Sequence, residues 1–143
     1  MNKNHAFFIT SVVTIILDQL TKYLIKTSFQ LNESIKFLPF FSISHVINYG
    51  AGFSILQGWR WFLIAFTIAV IGYVIYNYKK IPNKVVAFFV ALIFGGAIGN
   101  LIDRIIYGYV VDFISFSFWP SFNIADSAIT IGAIGLIAYY WKE

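Results

Sequence analysis

Four stretches of this chain are each long and apolar enough to cross a bilayer, and they leave few alternatives for the fold. They are 6–25 ("AFFITSVVTIILDQLTKYLI"), 59–78 ("WRWFLIAFTIAVIGYVIYNY"), 85–106 ("VVAFFVALIFGGAIGNLIDRII") and 124–141 ("IADSAITIGAIGLIAYYW"). At roughly 18–22 residues apiece they match a hydrocarbon core about 30 Å thick. Composition supports a lipid solvent. Hydrophobic residues make up 59% of the chain and charged residues 11%, against about 25% charged in soluble domains. The expected fold is an all-α membrane protein, a single domain over 1–143. It has four transmembrane helices, a small extracytoplasmic β element and loop, and both termini in the cytoplasm.

The first stretch carries Asp18 and Lys22, is followed by Lys26, and has no A-x-A-like site, so it reads as a retained helix rather than a cleaved leader. The chain lacks cysteine and has two histidines, His5 and His45, far apart. Disulfides, thiol catalysis and cysteine-ligated metals are excluded, and no HExxH appears. The net charge of +4 is modest, and in a membrane chain basic residues more often set orientation than bind nucleic acid.

Lys79, Lys80 and Lys84 crowd the link between the second and third spans, and Lys3 and Lys142 flank the first and fourth. Lys22, Lys26, Lys36, Arg60 and Arg104 lie toward the opposite side, spread over longer loops and within helices. Short-loop charge predicts the first set to be cytoplasmic. Two segments then face outward. In Lys26 to Gly58, "FSISHVIN" approximates two-residue alternation and ends at the turn-like "NYGAG", which predicts a short hairpin or small sheet on the membrane. In Tyr107 to Phe122, Phe116, Phe118, Trp119 and Phe122 suit the interfacial aromatic belt.

The acids are few, and their depths agree. At about 1.5 Å per residue, Asp18 lies roughly 18 Å along the first helix and Asp103 roughly 27 Å along the third. Asp112 follows in the outer loop and Asp126 opens the fourth helix, so all four aspartates converge on the outer leaflet. Intramembrane charges are costly and usually line a bundle interior or watery cavity. Each group also has an ordinary structural account. Asp18 and Lys22 are i, i+4 and neutralise each other. Asn100 and Arg104 share a face, and Arg104 reaches the headgroups by snorkelling. "NIAD" makes Asn123 an N-cap and Asp126 its capping-box partner. Asp112 reads as a solvated loop acid, and His45 as an ordinary loop residue. Gly95, Gly96 and Gly99 read as a close helix contact.

Taken together, the blocks "DQLTK" (18–22), "NYGAGFS" (48–54), "GNLIDR" (99–104), "VVDF" (110–113) and "FNIAD" (122–126) resemble the lipoprotein signal peptidase family, signal peptidase II, in order and in placement on four helices. The resemblance implies a bacterial membrane aspartic endopeptidase. Such an enzyme cuts signal peptides from lipid-modified prolipoproteins, before the diacylglyceryl-cysteine. It implies Asp112 and Asp126 as catalytic. Asp18, Lys22, Asn48, Gly50, Asn100, Asp103, Arg104, Asn123 and Ala125 match positions of support or substrate contact. Neither metal nor organic cofactor is implied. The expected partners are the prolipoprotein and membrane lipid, with no nucleic acid, and a monomer is expected. The expected location is the bacterial inner membrane as a multi-pass protein, with the site on the extracytoplasmic face. The chain departs from the family at Gly52, where alanine is commoner, and in a short Asp112–Asp126 spacing.

Two nearby carboxyls suit peptide hydrolysis. Like charges held close cannot both ionise easily, so one keeps a proton to polarise the carbonyl while the other activates water. The "NYGAG" segment is expected to offer backbone groups to an extended peptide by strand addition. A small transporter or proton channel would also use intramembrane charges, but it needs polar groups through the full thickness. Here the cytoplasmic halves of the helices are almost entirely apolar. A structural subunit held by glycine-rich faces leaves Asp112 and Asp126 without a shared purpose.

Overall fold

A computed structural model describes residues 2–51 and 55–142; Gly52, Phe53 and Ser54 of the "NYGAGFS" block lie outside the described residues. The elements are α1 (Lys3–Ser28), β1 (Ser34–Leu38), β2 (Phe41–Asn48), α2 (Arg60–Asn77), α3 (Lys84–Ile106), β3 (Val110–Phe116), β4 (Trp119–Phe122) and α4 (Ile124–Trp141). A short 3₁₀ turn, Tyr78–Lys80, follows α2. All four helices are long and apolar enough to cross a membrane. α1 runs nearly a turn beyond its apolar stretch at each end, because Asn2 caps it by accepting from the His5 N–H and the chain stays helical through Lys26 to Ser28.

The burial pattern inverts that of a soluble domain. Asp18 is 0% exposed and Lys22 1%, whereas Trp61 is 74% exposed and Tyr76 81%. Outward-facing Phe8, Val12, Ile16 and Leu20 on α1, and Ile68 and Ile75 on α2, meet the surroundings as apolar side chains, as expected where the solvent is hydrocarbon.

α3 is the central helix and packs against α1, α2 and α4. Glycine makes this possible. A Cβ at Gly95 would come within 2.9 Å of the Ser11 carbonyl oxygen on α1, and one at Gly96 within 2.5 Å of the Ala125 carbonyl oxygen on α4. Small residues let helices approach this closely where lipid gives no hydrophobic drive to association. At one end of the bundle Ala6, Phe7, Ile81, Val86, Ala87 and Ala91 form an apolar core. There Lys3 Nζ donates to the Lys79 and Ile81 carbonyls, and Asn83 Nδ2 donates to the Tyr139 hydroxyl. The two chain ends therefore share this end of the bundle.

The other end carries a four-stranded antiparallel sheet of order β1-β2-β3-β4. β2 is "FSISHVIN" itself. His45 is not a loop residue. It is buried in β2, its Nδ1 3.1 Å from the Phe29 carbonyl. The aromatic stretch after Tyr107, expected as an interfacial loop, instead forms the β3–β4 hairpin and joins the same sheet. The short Asp112–Asp126 spacing is that hairpin's tight return. Val111 and Phe113 pack with Ile25 and seat the sheet on the end of α1. Phe41, Phe116 and Phe122 follow one another across β2, β3 and β4, with ring centroids 5.3 and 6.2 Å apart.

Candidate active site

Asp112 sits in the middle of β3, buried, with Val46 of β2 as its register partner. Asn48, two residues along β2, is its diagonal neighbour, and such pairs lie within side-chain reach. Asn48 Nδ2 donates to Asp112 Oδ2 at 3.0 Å. From the other side Asn123 Nδ2 donates to Asp112 Oδ1 at 2.8 Å. Asp126 lies one turn into α4 as the third member of a capping box. The Asn123 side chain accepts from its N–H at 2.9 Å, and its carboxylate accepts from the Asn123 N–H at 3.3 Å. The capping box foreseen in "NIAD" is thus present, and the same asparagine also holds the second carboxylate.

Behind this pair stands a buried charged cluster. Lys22 Nζ lies 2.8 Å from Asp18 Oδ2 and 3.1 Å from Asp103 Oδ2, and it donates to Asn100 Oδ1 at 2.9 Å. Asn100 passes the contact on, its Nδ2 donating to Asp126 Oδ1 at 2.8 Å. Asp18 accepts from the Ala125 N–H at 2.9 Å, which pins the first turn of α4 to α1. Asp103 accepts from the Val111 N–H at 3.5 Å, which ties β3 to α3. Arg104 Nη2 donates to the Gly50 carbonyl at 3.0 Å, and the Gly50 N–H donates to Asn48 Oδ1 at 2.8 Å. Asp18, Lys22, Asn48, Gly50, Asn100, Asp103, Arg104, Asp112, Asn123, Ala125 and Asp126 therefore belong to one connected network drawn from five elements and the loop after β2. No buried side-chain nitrogen or oxygen among the described residues lacks a partner.

Burial pushes the Asp112 carboxyl up to about 7, and the neighbouring charge of Asp126 pushes the same way; the hydrogen bonds from Asn48 and Asn123 and the charge of Lys22 pull against them. A carboxyl in this setting holds or releases a proton near neutral pH, which acid–base chemistry requires. Both carboxylates line a cavity of about 820 Å³. Its other walls include Phe62, Phe66 and Val70 of α2, Ile129 of α4, and Trp119 to Phe122 of β4. Among the described residues no three His, Asp or Glu side chains gather in a way that would hold a metal ion.

One expectation is corrected. The "NYGAG" segment does not offer its backbone for strand addition at Gly50 and Ala51. The Gly50 N–H and C=O bond to Asn48 and Arg104, the Ala51 C=O accepts from Asn48 Nδ2, and the Ala51 N–H bonds to the Ile55 carbonyl. β2 is itself flanked on both sides by β1 and β3. Two participants escaped sequence reasoning. Gln19 Nε2 lies 3.0–3.2 Å from the Gly99 carbonyl, Asp18 Oδ2 and Asp103 Oδ1; a polar amide beside Asp18 inside an apolar span was the available signal. Arg60 donates from Nε and Nη2 to the Arg104 and Ile105 carbonyls at 2.9 and 3.0 Å. It thereby satisfies orphan carbonyls at the C-terminus of α3.

Comparison with known proteins agrees with this construction. Residues 10–142 match the family model described as signal peptidase (SPase) II. The chain is 44% identical to a lipoprotein signal peptidase of Halothermothrix orenii, with 95% of each chain covered. It is 47% identical to one of Pseudoalteromonas translucida, over 89% of this chain and 82% of that one. Two solved structures of a bacterial membrane enzyme, obtained by the in meso method at 2.3 and 1.9 Å resolution, superpose with TM-scores of 0.89 and 0.85. Each is 37% identical and covers 94% of this chain, and the chain covers 86% and 92% of theirs. With the network and the fold both in place, the chain belongs to the signal peptidase II family.

Proposed function

We propose that this protein is a membrane aspartic endopeptidase that removes signal peptides from lipid-modified prolipoproteins, cutting before the diacylglyceryl-cysteine. Asp112 and Asp126 are its catalytic pair. The observation that carries this reading is the double contact of Asn123, which holds both carboxyls at the wall of one cavity. In the reaction the ionised carboxylate takes a proton from water as its oxygen attacks the scissile carbonyl. The protonated carboxyl polarises that carbonyl, and the leaving amine then receives a proton from the pair. Asn48, Asn100 and Asn123 fix the carboxyls. Asp18, Lys22, Asp103, Arg104, Gly50 and Ala125 hold the strand and helix that carry them.

The whole chain acts as one domain and as a monomer in the bacterial inner membrane. Both termini are cytoplasmic and the sheet is extracytoplasmic, which brings the pair to the surface where a lipid-anchored cysteine resides. The lysines at the end opposite the sheet support that orientation. A transport path has no comparable support, since the bundle end away from the sheet is packed with Ala6, Phe7, Val86, Ala87 and Ala91. The test is to express Asp112→Asn and Asp126→Asn in membranes and follow a lipidated prolipoprotein precursor. Loss of cleavage in both is expected; undiminished cleavage by either removes that residue from the pair.

A further inference from the structure

Each carboxyl of the pair is pinned through the residue just before it. Ala125, which precedes Asp126, donates its N–H to Asp18 Oδ1 at 2.9 Å. Val111, which precedes Asp112, donates its N–H to Asp103 Oδ2 at 3.5 Å. Asp18 belongs to α1 and Asp103 to α3. The relative position of Asp112 and Asp126 therefore depends on how α1 and α3 hold these two supporting acids against each other.

Lys22 attracts both acids, but it does not fix their geometry alone. An ammonium has three donors, and the contacts to Asp18 Oδ2, Asp103 Oδ2 and Asn100 Oδ1 use all three. Two carboxylates around one ammonium also still repel each other. Gln19 adds the second tie. Its Nε2 lies 3.2 Å from Asp18 Oδ2, 3.1 Å from Asp103 Oδ1 and 3.0 Å from the Gly99 carbonyl. All three are acceptors, so only the amide nitrogen can face them. The side chain thus reaches from α1 across to α3 and takes the Asp103 oxygen that Lys22 leaves. Gln19 is half-buried within an apolar span, where an amide is costly unless its hydrogen bonds are met.

We propose that Gln19 is a positioning residue for the reaction: its amide locks Asp18 to Asp103, and through the Ala125 and Val111 N–H groups this lock sets the distance between Asp126 and Asp112. The inference rests on the peptidase reading above. It adds a residue whose amide bonds to neither carboxyl of the pair and acts on both through their neighbours.

The test uses the full-length enzyme in detergent and a lipidated precursor peptide, with rates normalised to folded protein. Gln19→Met keeps the length of the side chain and removes the donor. Released from the lock, the two carboxyls move apart under their mutual repulsion. Expected is a kcat about tenfold or more below the parent, with KM little changed. The alkaline limb of the pH–rate profile should move to lower pH, because a more distant Asp126 adds less to the raised value of Asp112. A merely structural role would lower the melting temperature and leave the folded enzyme's kcat and pH profile where they were. That result, or an alkaline limb that moves up, overturns the proposal.

Gln19→Glu keeps the test open should the methionine variant fail to fold. The new carboxyl would stand among Asp18, Asp103 and Lys22, and it donates only while protonated. Its rate relative to the parent should recover as pH falls, and a ratio constant with pH overturns the lock. Either result leaves the peptidase reading intact while the parent cleaves the precursor. No cleavage by the parent, or an Asp112→Asn enzyme that cleaves like the parent, overturns that reading and this inference with it.

Discussion

The side-chain amide of Asn123 donates to Asp112 at 2.8 Å while the same residue caps the helix that carries Asp126. Position and electrostatics thus depend on one side chain. Asn123→Ala removes the cap, worth about 1 kcal/mol, and leaves Asp112 with Asn48 as its remaining asparagine donor. Cleavage should fall by about 10–100-fold, since each lost hydrogen bond to a charged group is worth roughly 1.5–3 kcal/mol. Asn123→Asp keeps a capping oxygen but sets a third carboxylate against the pair. It should be at least as inactive as the alanine variant while melting closer to the parent. Cleavage of a lipidated precursor and thermal unfolding in detergent check both, and full activity in Asn123→Ala would show that the bridge is dispensable.

The raised carboxyl of Asp112 sets a pH limit. Its ordinary value of 3.8 is moved up to about 7, first by burial and then by Asp126. Between those values the folded chain keeps a proton that the unfolded chain has lost. Its contribution to stability is therefore largest at acid pH, declines as pH rises through that window, and does not return above it. The proposed mechanism needs a protonated carboxyl to polarise the scissile carbonyl. Cleavage should fall as pH rises beyond about 7, by up to tenfold per unit. Asp126→Asn removes the neighbouring charge, so the Asp112 carboxyl should titrate lower than in the parent. Infrared spectra of the carboxyl stretch across pH test this independently of activity, and an unchanged or higher midpoint in the variant would contradict the coupling.

Lys22 is 1% exposed and meets Asp18 and Asp103 at 2.8 and 3.1 Å. Removing one member of a buried ion pair leaves uncompensated charge and costs about 3–5 kcal/mol. Lys22→Met leaves two such acids and deprives Asn100 of its donor from α1. The variant should be depleted in membranes and melt well below the parent in detergent. A double change of Lys22→Met with Asp18→Asn should recover part of that loss, because it removes one stranded charge. No difference between the single and double variants would mean that the cluster is not held by charge balance.

Much of this arrangement is legible in the sequence, for reasons that differ by element. The helices are long uniform apolar runs. β2 alternates enough to be delimited at Phe41 and Asn48, and scarce polar residues inside a greasy chain mark the network members, since lipid leaves them nowhere else to go. The hairpin of β3 and β4 is not legible. "VVDFISFSFWPSF" alternates polar and apolar only over Ser115, Phe116, Ser117 and Phe118, a stretch too short to delimit two strands. The cavity is hidden for a related reason. Phe62, Phe66 and Val70 line it, but every face of α2 is apolar, so no pattern separates residues that meet lipid from those that meet the cavity. Nor does sequence reveal that Gly50 and Ala51 use their backbone groups internally.

Gly99 is where the backbone of α3 makes room for the network. A Cβ built on it would come within 2.5 Å of Asp18 Oδ2 and 3.0 Å of Asp18 Cγ. Asp18 has nowhere to yield. Lys22 holds one oxygen and the Ala125 N–H the other, while Gln19 spans from it to the Gly99 carbonyl. Gly99→Ala in a helix interior would by itself favour the helix by about 1 kcal/mol. Overpacking works against this by about 1–3 kcal/mol, and the displaced carboxylate must release either Lys22 or the first turn of α4. If Ala125 is released, Asp126 shifts relative to Asp112 and cleavage falls more than stability does. If Lys22 is released, stability falls first. Measuring precursor cleavage and melting temperature on the same Gly99→Ala preparation separates the two, and the direct link from Asp18 to the α4 N-terminus makes a disproportionate loss of cleavage the expected result. A variant that matches the parent in both would mean that α1 and α3 can part at this point without disturbing the carboxyl pair.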